Sequence, residues 1–336
     1  MTLTKKFIMK KNKSLIISAS LLNILLFLGG CSNHQPKMVK ADQFENTLAV
    51  SENDLYPGLG DIYNFMNEQH FENPKTTELY NIGATSKNKL TIPLIRIGFL
   101  EDTPAKKYLI VAGTHGDEAA PVAGVNYLIQ NLLHSQILSD LINKKIALDI
   151  IPVHNPEGYL ENQRENDNGI DLNRNFPFGN VEVKQEAETK ALVSLINTQN
   201  YTASIFFHSA NENKYENLVR IPVEYNKTGP KALQSVYRKE VLRLSNIIIE
   251  GGNKTTPAIP WHSSSDMVDV TGIASDWCVS GLLGKEYSSL VKQDCKFPHP
   301  SVTIELCNPK QPIQKQRIES EQLELYNIVL NVINKF

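Results

Sequence analysis

Apolar residues recur along this chain in two rhythms. Short runs rich in Ile, Leu, Val and Phe read as strands over residues 77–82, 91–99, 145–153, 203–207 and 302–306, with another run, starting at Lys107, that ends near His115. Longer segments with a period near 3.6 read as helices over 61–68, 186–197, 231–249 and 318–333, the last amphipathic. The segment after Glu118 places Val122, Val125, Leu128, Ile129, Leu132 and Leu133 on one face and carries Pro121 in its first turn, where proline is tolerated. Strands alternating with helices predict an α/β domain: a mixed, mostly parallel central sheet with helices on both faces. In such sheets ligands collect at strand ends. His115, Asn155 and His208 each fall where a strand stops.

The remainder is polar. Asn155-Pro156-Glu157-Gly158 is a turn signal, residues 251–271 read as a surface loop, and residues 161–180 are dense in Asn, Asp, Gly and Arg. A loop as long as the last is uncommon inside a compact domain unless it has a function.

The first thirty residues change the picture. Lys5, Lys6, Lys10, Lys11 and Lys13 precede an apolar run over 14–28 that closes on Leu28-Gly29-Gly30-Cys31. A basic start, an apolar stretch of that length and small residues before a cut site describe a secretory leader. The last four residues resemble a bacterial lipobox, which implies that Cys31 is lipidated and becomes the new N-terminus. The expected organisation is therefore a leader over 1–30, a polar tether over 31–53 and a single catalytic domain over 54–336, held at the bacterial cell envelope by a lipid in the membrane and facing the periplasm or exterior. The formal charge of −2 includes five leader lysines and no leader acids, so the body is more acidic than the whole chain. A net acidic body without a long basic run excludes nucleic acid as a partner. For the three later cysteines, Cys278, Cys295 and Cys307, an oxidising compartment implies one disulfide and one free thiol; Cys278 with Cys295 would close a loop of plausible size, and spacing alone leaves the connectivity open.

The candidate chemistry begins at His115 and Glu118. Three residues apart on a turn, an imidazole and a carboxylate can reach one side, as two ligands of a zinc ion must. His154 with Glu157 offers the same spacing, though Pro156 stiffens that turn. A catalytic zinc takes three protein ligands and keeps one open position, and His208, directly after Ser204-Ile205-Phe206-Phe207, is the best third. Ala119 follows Glu118, so the His-Glu-x-x-His and His-x-x-Glu-His motifs are both absent. Strand alternation over 302–307 sets Thr303, Glu305 and Cys307 against Val302, Ile304 and Leu306.

In order, the chain shows His115-x-x-Glu118, Asn-Pro-Glu-Gly over 155–158, Arg164 ten residues before the Arg174 of Asp171-Leu-Asn-Arg-Asn-Phe-Pro, the strand-end His208 and a final Thr303-Ile-Glu-Leu. This ordered set resembles the zinc carboxypeptidase family of carboxypeptidase A. The resemblance implies that fold and one zinc ion on His115, Glu118 and His208. It further implies Asn173 and Arg174 as the pair binding a substrate's free carboxylate, Arg164 as the group polarising the scissile carbonyl, Asp171 as the acid orienting a ligand histidine and Glu305 as the catalytic base. Guanidinium suits the carboxylate because the two meet through parallel hydrogen bonds.

Two departures stand out. The family's loop tyrosine would fall near Val268 and is missing, with Tyr287 the nearest alternative; and Ser275 occupies the place where carboxypeptidases A and B select the substrate side chain. The expected activity is hydrolysis of an amide next to a residue with a free carboxylate. His-Gly-Asp-Glu over 115–118 resembles murein peptide amidases, so muropeptides, at the γ-D-glutamyl-diaminopimelate bond, are the favoured substrates, ahead of ordinary peptide C-termini. Two other readings stand beside these: an acylamino-acid deacylase similar to succinylglutamate desuccinylase or aspartoacylase, and a zinc-free peptide-binding lipoprotein.

Overall fold

The computed structural model describes residues 37–45, 56–177, 183–210, 215–222, 224–226, 229–231, 235–257, 259–264, 273–280, 299–306 and 315–336. The leader, Cys31, Val268, Tyr287, Cys295 and Cys307 lie outside the described residues. Among those described, no helix is long and apolar enough to cross a membrane.

One sheet organises the domain. Its strands run, edge to edge, β1 (Val39–Ala41), β2 (Thr77–Ala84), β3 (Thr91–Gly98), β5 (Ile146–Ile151), β4 (Lys106–Val111), β6 (Ala203–Ser209), β11 (Ser301–Leu306), β7 (Leu218–Arg220) and β10 (His262–Ser264). A separate hairpin joins β8 (Glu224–Asn226) to β9 (Gly229–Lys231). The middle of the sheet, β5, β4, β6 and β11, is parallel. Its first three strands form an antiparallel meander that also meets β5 antiparallel, and β7 runs against β11 before pairing parallel with β10. The sheet is therefore mixed, with its parallel character concentrated at the centre.

Parallel neighbours need crossovers, and these cover both faces. On one face pack α1 (Leu59–Glu72), α2 (Ala119–Leu133), α3 (Ile137–Asn143), α6 (Ser235–Gly252) and α8 (Lys315–Lys335), against Tyr108 and Ile110 of β4, Ile205 and Phe207 of β6, and Val302, Ile304 and Leu306 of β11. On the other, α5 (Ala187–Thr198) and α7 (Ala274–Ser280) bury Leu192, Leu195, Ile196 and Ala274 against Leu109, Val111, Ile151 and Phe206. Both faces of β4 are dry, which is why its sequence is a continuous apolar run and not an alternation. Each such side chain contributes about 1.5–3 kcal/mol through burial.

Several elements differ from the sequence reading. The Asn155-Pro156-Glu157-Gly158 turn opens a short helix, α4 (Pro156–Glu161): Asn155 caps it by accepting the Gly158 N–H at 3.0 Å, and Pro156 occupies the first turn, where its missing N–H costs nothing. Part of the expected tether is folded. Strand β1 pairs with β2, and Phe44 is buried beside Tyr63, its backbone N–H and C=O both bonded to the Asn67 side chain. The stretch expected as a surface loop over 251–271 contains β10 and the buried Trp261, whose indole N–H donates to Glu324 at 3.0 Å. Cys278, on α7, is a fully buried free thiol, so the bridge to Cys295 is corrected.

Candidate metal centre

The site forms where β4, β6 and β11 end side by side. Beyond Val111 the chain turns at Gly113, whose φ of +60° suits glycine, and passes through Thr114 to His115. Gly116 lies so close to α4 that a Cβ there would stand 1.9 Å from the Gly158 carbonyl carbon. This close approach presses the turn into the fold and fixes where His115 points. Glu118, at the start of α2, makes no side-chain cap, and its carboxylate turns toward the imidazoles instead.

His208 reaches the same point from β6. Ile205 and Phe207 face the helical layer of α2 and α8, so Phe206 and His208 face the other side. The result is a buried cluster in which His115, Glu118 and His208 each offer one donor atom, all within 4.8 Å of one another. Glu118 Oε1 lies 2.7 Å from His115 Nδ1 and Oε2 lies 3.0 Å from His208 Nδ1, while the two Nδ1 atoms are 3.1 Å apart. Two nitrogens and a carboxylate converging with one side left to the loop is the donor set of a hydrolytic zinc.

Charge supports that fit. Burial disfavours a charged His115, yet the Glu118 and Asp171 carboxylates outweigh it and lift its pKa to about 9. Burial likewise opposes ionised Glu118, and His115 and His208 overcome it and hold that carboxyl far below the usual range. Burial keeps His208 low. The cluster thus holds a proton where it has the donors for a cation.

The 161–177 loop supplies the rest. Asn166 ties it internally, accepting the N–H groups of Asn168 and Ile170 at 3.1 Å, and Asp171 caps a 3-10 turn over Leu172–Arg174. Asp171 Oδ1 lies 3.1 Å from His115 Nε2, and Oδ2 accepts from Arg164 Nη2 at 2.9 Å and Nε at 3.2 Å. Arg164 Nη1 is 3.2 Å from His115 Nδ1, at the mouth of the cluster. Asn173 is buried with its amide nitrogen 3.5 Å from His208 Nε2, and its oxygen accepts the Ala274 N–H at 3.2 Å. The exposed Arg174 donates to the Asn173 carbonyl at 2.8 Å.

Glu305 pairs in register with His208 and is half-buried on the same face. Burial, reinforced by Glu118, raises its carboxyl to about 8, against the pull of His115, Arg220 and Arg164. Cys307 lies outside the described residues, but Thr303 and Glu305 do face away from Val302, Ile304 and Leu306, as the alternation predicts.

The rival pair is turned elsewhere. His154 Nε2 lies 3.1 Å from the Glu188 carbonyl and its Nδ1 3.3 Å from the Thr114 hydroxyl, while Glu157 accepts from Thr85 at 2.6 Å and Asn88 N–H at 2.5 Å. Ser275 is fully buried, its hydroxyl 2.8 Å from that of Thr303. Beside it stands a residue that sequence reasoning passed over. Arg220 reaches Ser275 Oγ at 3.5 Å and binds Asp276 bidentately at 2.6 and 2.8 Å, with both members of the pair buried. The available signal was an arginine closing an apolar strand, Leu218-Val219-Arg220.

Comparison with known proteins agrees with this geometry. A family model described as zinc carboxypeptidase matches residues 62–322. Carboxypeptidase SOL1 of Arabidopsis thaliana is 33% identical over 149 residues, which is 40% of this chain and 29% of that protein. Murein peptide amidase A of Escherichia coli (strain K12) is 40% identical over 72 residues, 21% of this chain and 26% of that protein. These matches span a third or less of the relatives' own length. Among solved structures, carboxypeptidase A from Helicoverpa armigera superposes with a TM-score of 0.64 at 17% identity, over 87% of this chain and 73% of that one, a likeness of fold.

Proposed function

The chain belongs to the zinc carboxypeptidase family, and from that premise we propose that it removes a residue bearing a free carboxylate from a peptide by hydrolysing the amide before it. The observation that carries this reading is the convergence of His115, Glu118 and His208 with Arg164 and Asp171 at one set of strand ends, beside Glu305. His115, Glu118 and His208 would hold the zinc. Bound there, the ion supplies a Lewis acid and lowers the pKa of water.

The chain's own groups do the remainder. Arg174, exposed at the end of the Leu172–Arg174 turn with Asn173 beside it, grips the free carboxylate with its planar fork. Arg164 stands over the cluster to stabilise the oxyanion that develops on the scissile carbonyl. Glu305 takes a proton from the attacking water and returns it to the leaving amine; a carboxyl raised toward neutrality is suited to both directions of transfer. Asp171 keeps the His115 ring oriented and anchors Arg164 at once.

For the substrate, the favoured reading is a muropeptide cut at the γ-D-glutamyl-diaminopimelate bond. Support comes from the local similarity to murein peptide amidase A and from a lysine-rich, apolar N-terminus closing on Leu-Gly-Gly-Cys, which would place a lipid-anchored body outside the inner membrane. Ordinary peptide C-termini are the second reading, supported by the similarity to carboxypeptidase SOL1. A cytoplasmic deacylase role conflicts with such an N-terminus, and the intact donor set speaks against a non-catalytic binder. The test is to incubate zinc-loaded protein with muropeptides and with ordinary C-terminal peptides and to identify products by mass. Release of diaminopimelate-bearing fragments is expected; no release from either class would defeat the activity, and release from ordinary peptides alone would shift the substrate.

A further inference from the structure

His154 stands outside the donor cluster, fully buried and bonded at both ring nitrogens. Nε2 faces the Glu188 backbone carbonyl at 3.1 Å, and a carbonyl only accepts, so Nε2 carries the hydrogen. Nδ1 is then the acceptor, and the Thr114 hydroxyl, 3.3 Å away, donates to it. Thr114 is itself buried and directly precedes the ligand His115. Backbone pairing ties the turn at Ala112 and Gly113, whose carbonyls accept the N–H groups of His154 and Asn155 at 3.0 and 2.8 Å. One residue further on, the tie is the Thr114 side chain.

The other side of the His154 ring leads to the substrate loop. Glu188, in the first turn of α5, offers its backbone carbonyl to His154, and its carboxylate lies 3.4 Å from the Asn166 amide nitrogen. Asn166 organises the loop just before Asp171, and Asp171 meets His115 Nε2 directly. The loop therefore reaches the metal turn by two routes, one through Asp171 and one round through Asn166, Glu188, His154 and Thr114. A neutral imidazole suits the second route because it donates on one side and accepts on the other, in a place closed to solvent. An apolar ring there would fill the space and leave the Thr114 hydroxyl without its acceptor.

We propose that His154 is a positioning residue: through Thr114 it fixes the direction of His115 and couples that ligand to the loop that carries Arg164 and Asp171. The donor set and the oxyanion donor then keep their relative placement because both ends of the loop are tied to the same turn. This inference rests on the proposed zinc site and adds to it a residue that is not a ligand. Its consequence is specific: deleting one hydroxyl, on a residue that binds no metal, disturbs the geometry of the metal.

The test compares, in the full chain, Thr114→Val, which keeps the branched shape and deletes the hydroxyl, with Thr114→Ser, which keeps the hydroxyl. Zinc affinity is measured by chelator competition, the visible spectrum of the cobalt-loaded protein reports the geometry of the ligands, and urea unfolding of apo protein reports stability. Thr114→Val is expected to weaken zinc about tenfold and to shift the cobalt bands, and Thr114→Ser to stay close to wild type in both. Thr114→Ala serves if the valine variant does not fold. Asn166→Ala should also weaken zinc, and in the double variant Thr114→Val/Asn166→Ala the combined loss should fall short of the product of the single losses by about threefold, as expected of residues in one network. Unchanged affinity and bands in Thr114→Val, a serine variant as impaired as the valine one, or affinity losses that only track apo stability would overturn the assignment and leave His154 a core histidine. Single losses that simply multiply would overturn the coupling to the loop. A wild type that binds neither zinc nor cobalt would instead bring down the metal site beneath it.

Discussion

Asp171 holds His115 by the ring nitrogen that faces away from the donor cluster, at 3.1 Å, so that Nδ1 is the atom presented inward. Partners of this kind fix the tautomer and raise the basicity of a ligand imidazole. Asp171→Asn should therefore weaken zinc binding by about 10- to 100-fold, measured by competition with a chromophoric chelator. An unchanged affinity would remove Asp171 from that role.

Metal uptake should displace a proton. With a pKa near 9 in the metal-free cluster, His115 is protonated at pH 7.5, and a ligand imidazole must be neutral. Titrating zinc into apo protein in buffers of different ionisation enthalpy should show release of about one proton at pH 7.5, fading as the pH rises past 9. Proton-free binding at pH 7.5 would contradict the charge state assigned to the cluster.

Arg164→Ala should keep the metal and slow turnover on the order of a hundredfold, as the loss of one preorganised oxyanion donor costs about 3 kcal/mol. Glu305→Gln should also keep the metal and lose at least about two orders of magnitude, the contribution of a positioned proton carrier. Steady-state kinetics beside zinc analysis separates both from simple metal loss. A fully active Glu305→Gln protein would exclude it as the base.

Acid should weaken the fold through two interior imidazoles. Burial pushes His299 down to about 3 and His154 to about 4, below the ordinary 6.5. Above pH 6.5 both are neutral folded or unfolded, and their full contribution is present. As the pH falls through the window from 6.5 toward 4, only the unfolded chain takes up these protons, so stability drops by about 1.4 kcal/mol per pH unit for each ring. His115 of the metal-free protein, raised to about 9, is protonated in both states well below 6.5 and does not mask the slope there, and His208, which burial also lowers, adds to it in the same direction. Urea unfolding of apo protein across this range should show a shallower acid limb in His299→Gln than in wild type; parallel limbs would refute it.

Gly116→Ala tests the close approach that aims His115. Its new Cβ meets Gly158 backbone, which has no flexible end to swing aside. Overpacking of this kind costs about 3 kcal/mol or more, and the turn should lose zinc well before the domain unfolds. Thermal melts with and without metal check both.

The parts of the fold legible in the sequence were those with a sustained apolar rhythm: β4, β6, the helix after Glu118 and the C-terminal helix. The metal triad was legible because His115, Glu118 and His208 all sit at ends of such runs. What escaped depends on contacts distant in sequence. Val39–Ala41 has no apolar pattern and becomes a strand only because β2 offers an unpaired edge. His262–Ser264 is polar and is held by its pairing with β7. Pro156 reads as a turn residue, and only the Asn155 cap turns its segment into a helix. The Arg220–Asp276 pair joins residues 56 apart, and no local spacing announces it.

Cys278 has its sulfur sealed between α7 and the sheet, and burial pushes its thiol far above the ordinary range. In the native protein it has neither the exposure nor the thiolate character to react. Labelling at this one sulfur, followed by peptide mass, therefore acts as a clock for how often the α7 layer lifts from the sheet. Run with and without a bound peptide, the same clock would tell whether occupying the cleft quiets that breathing.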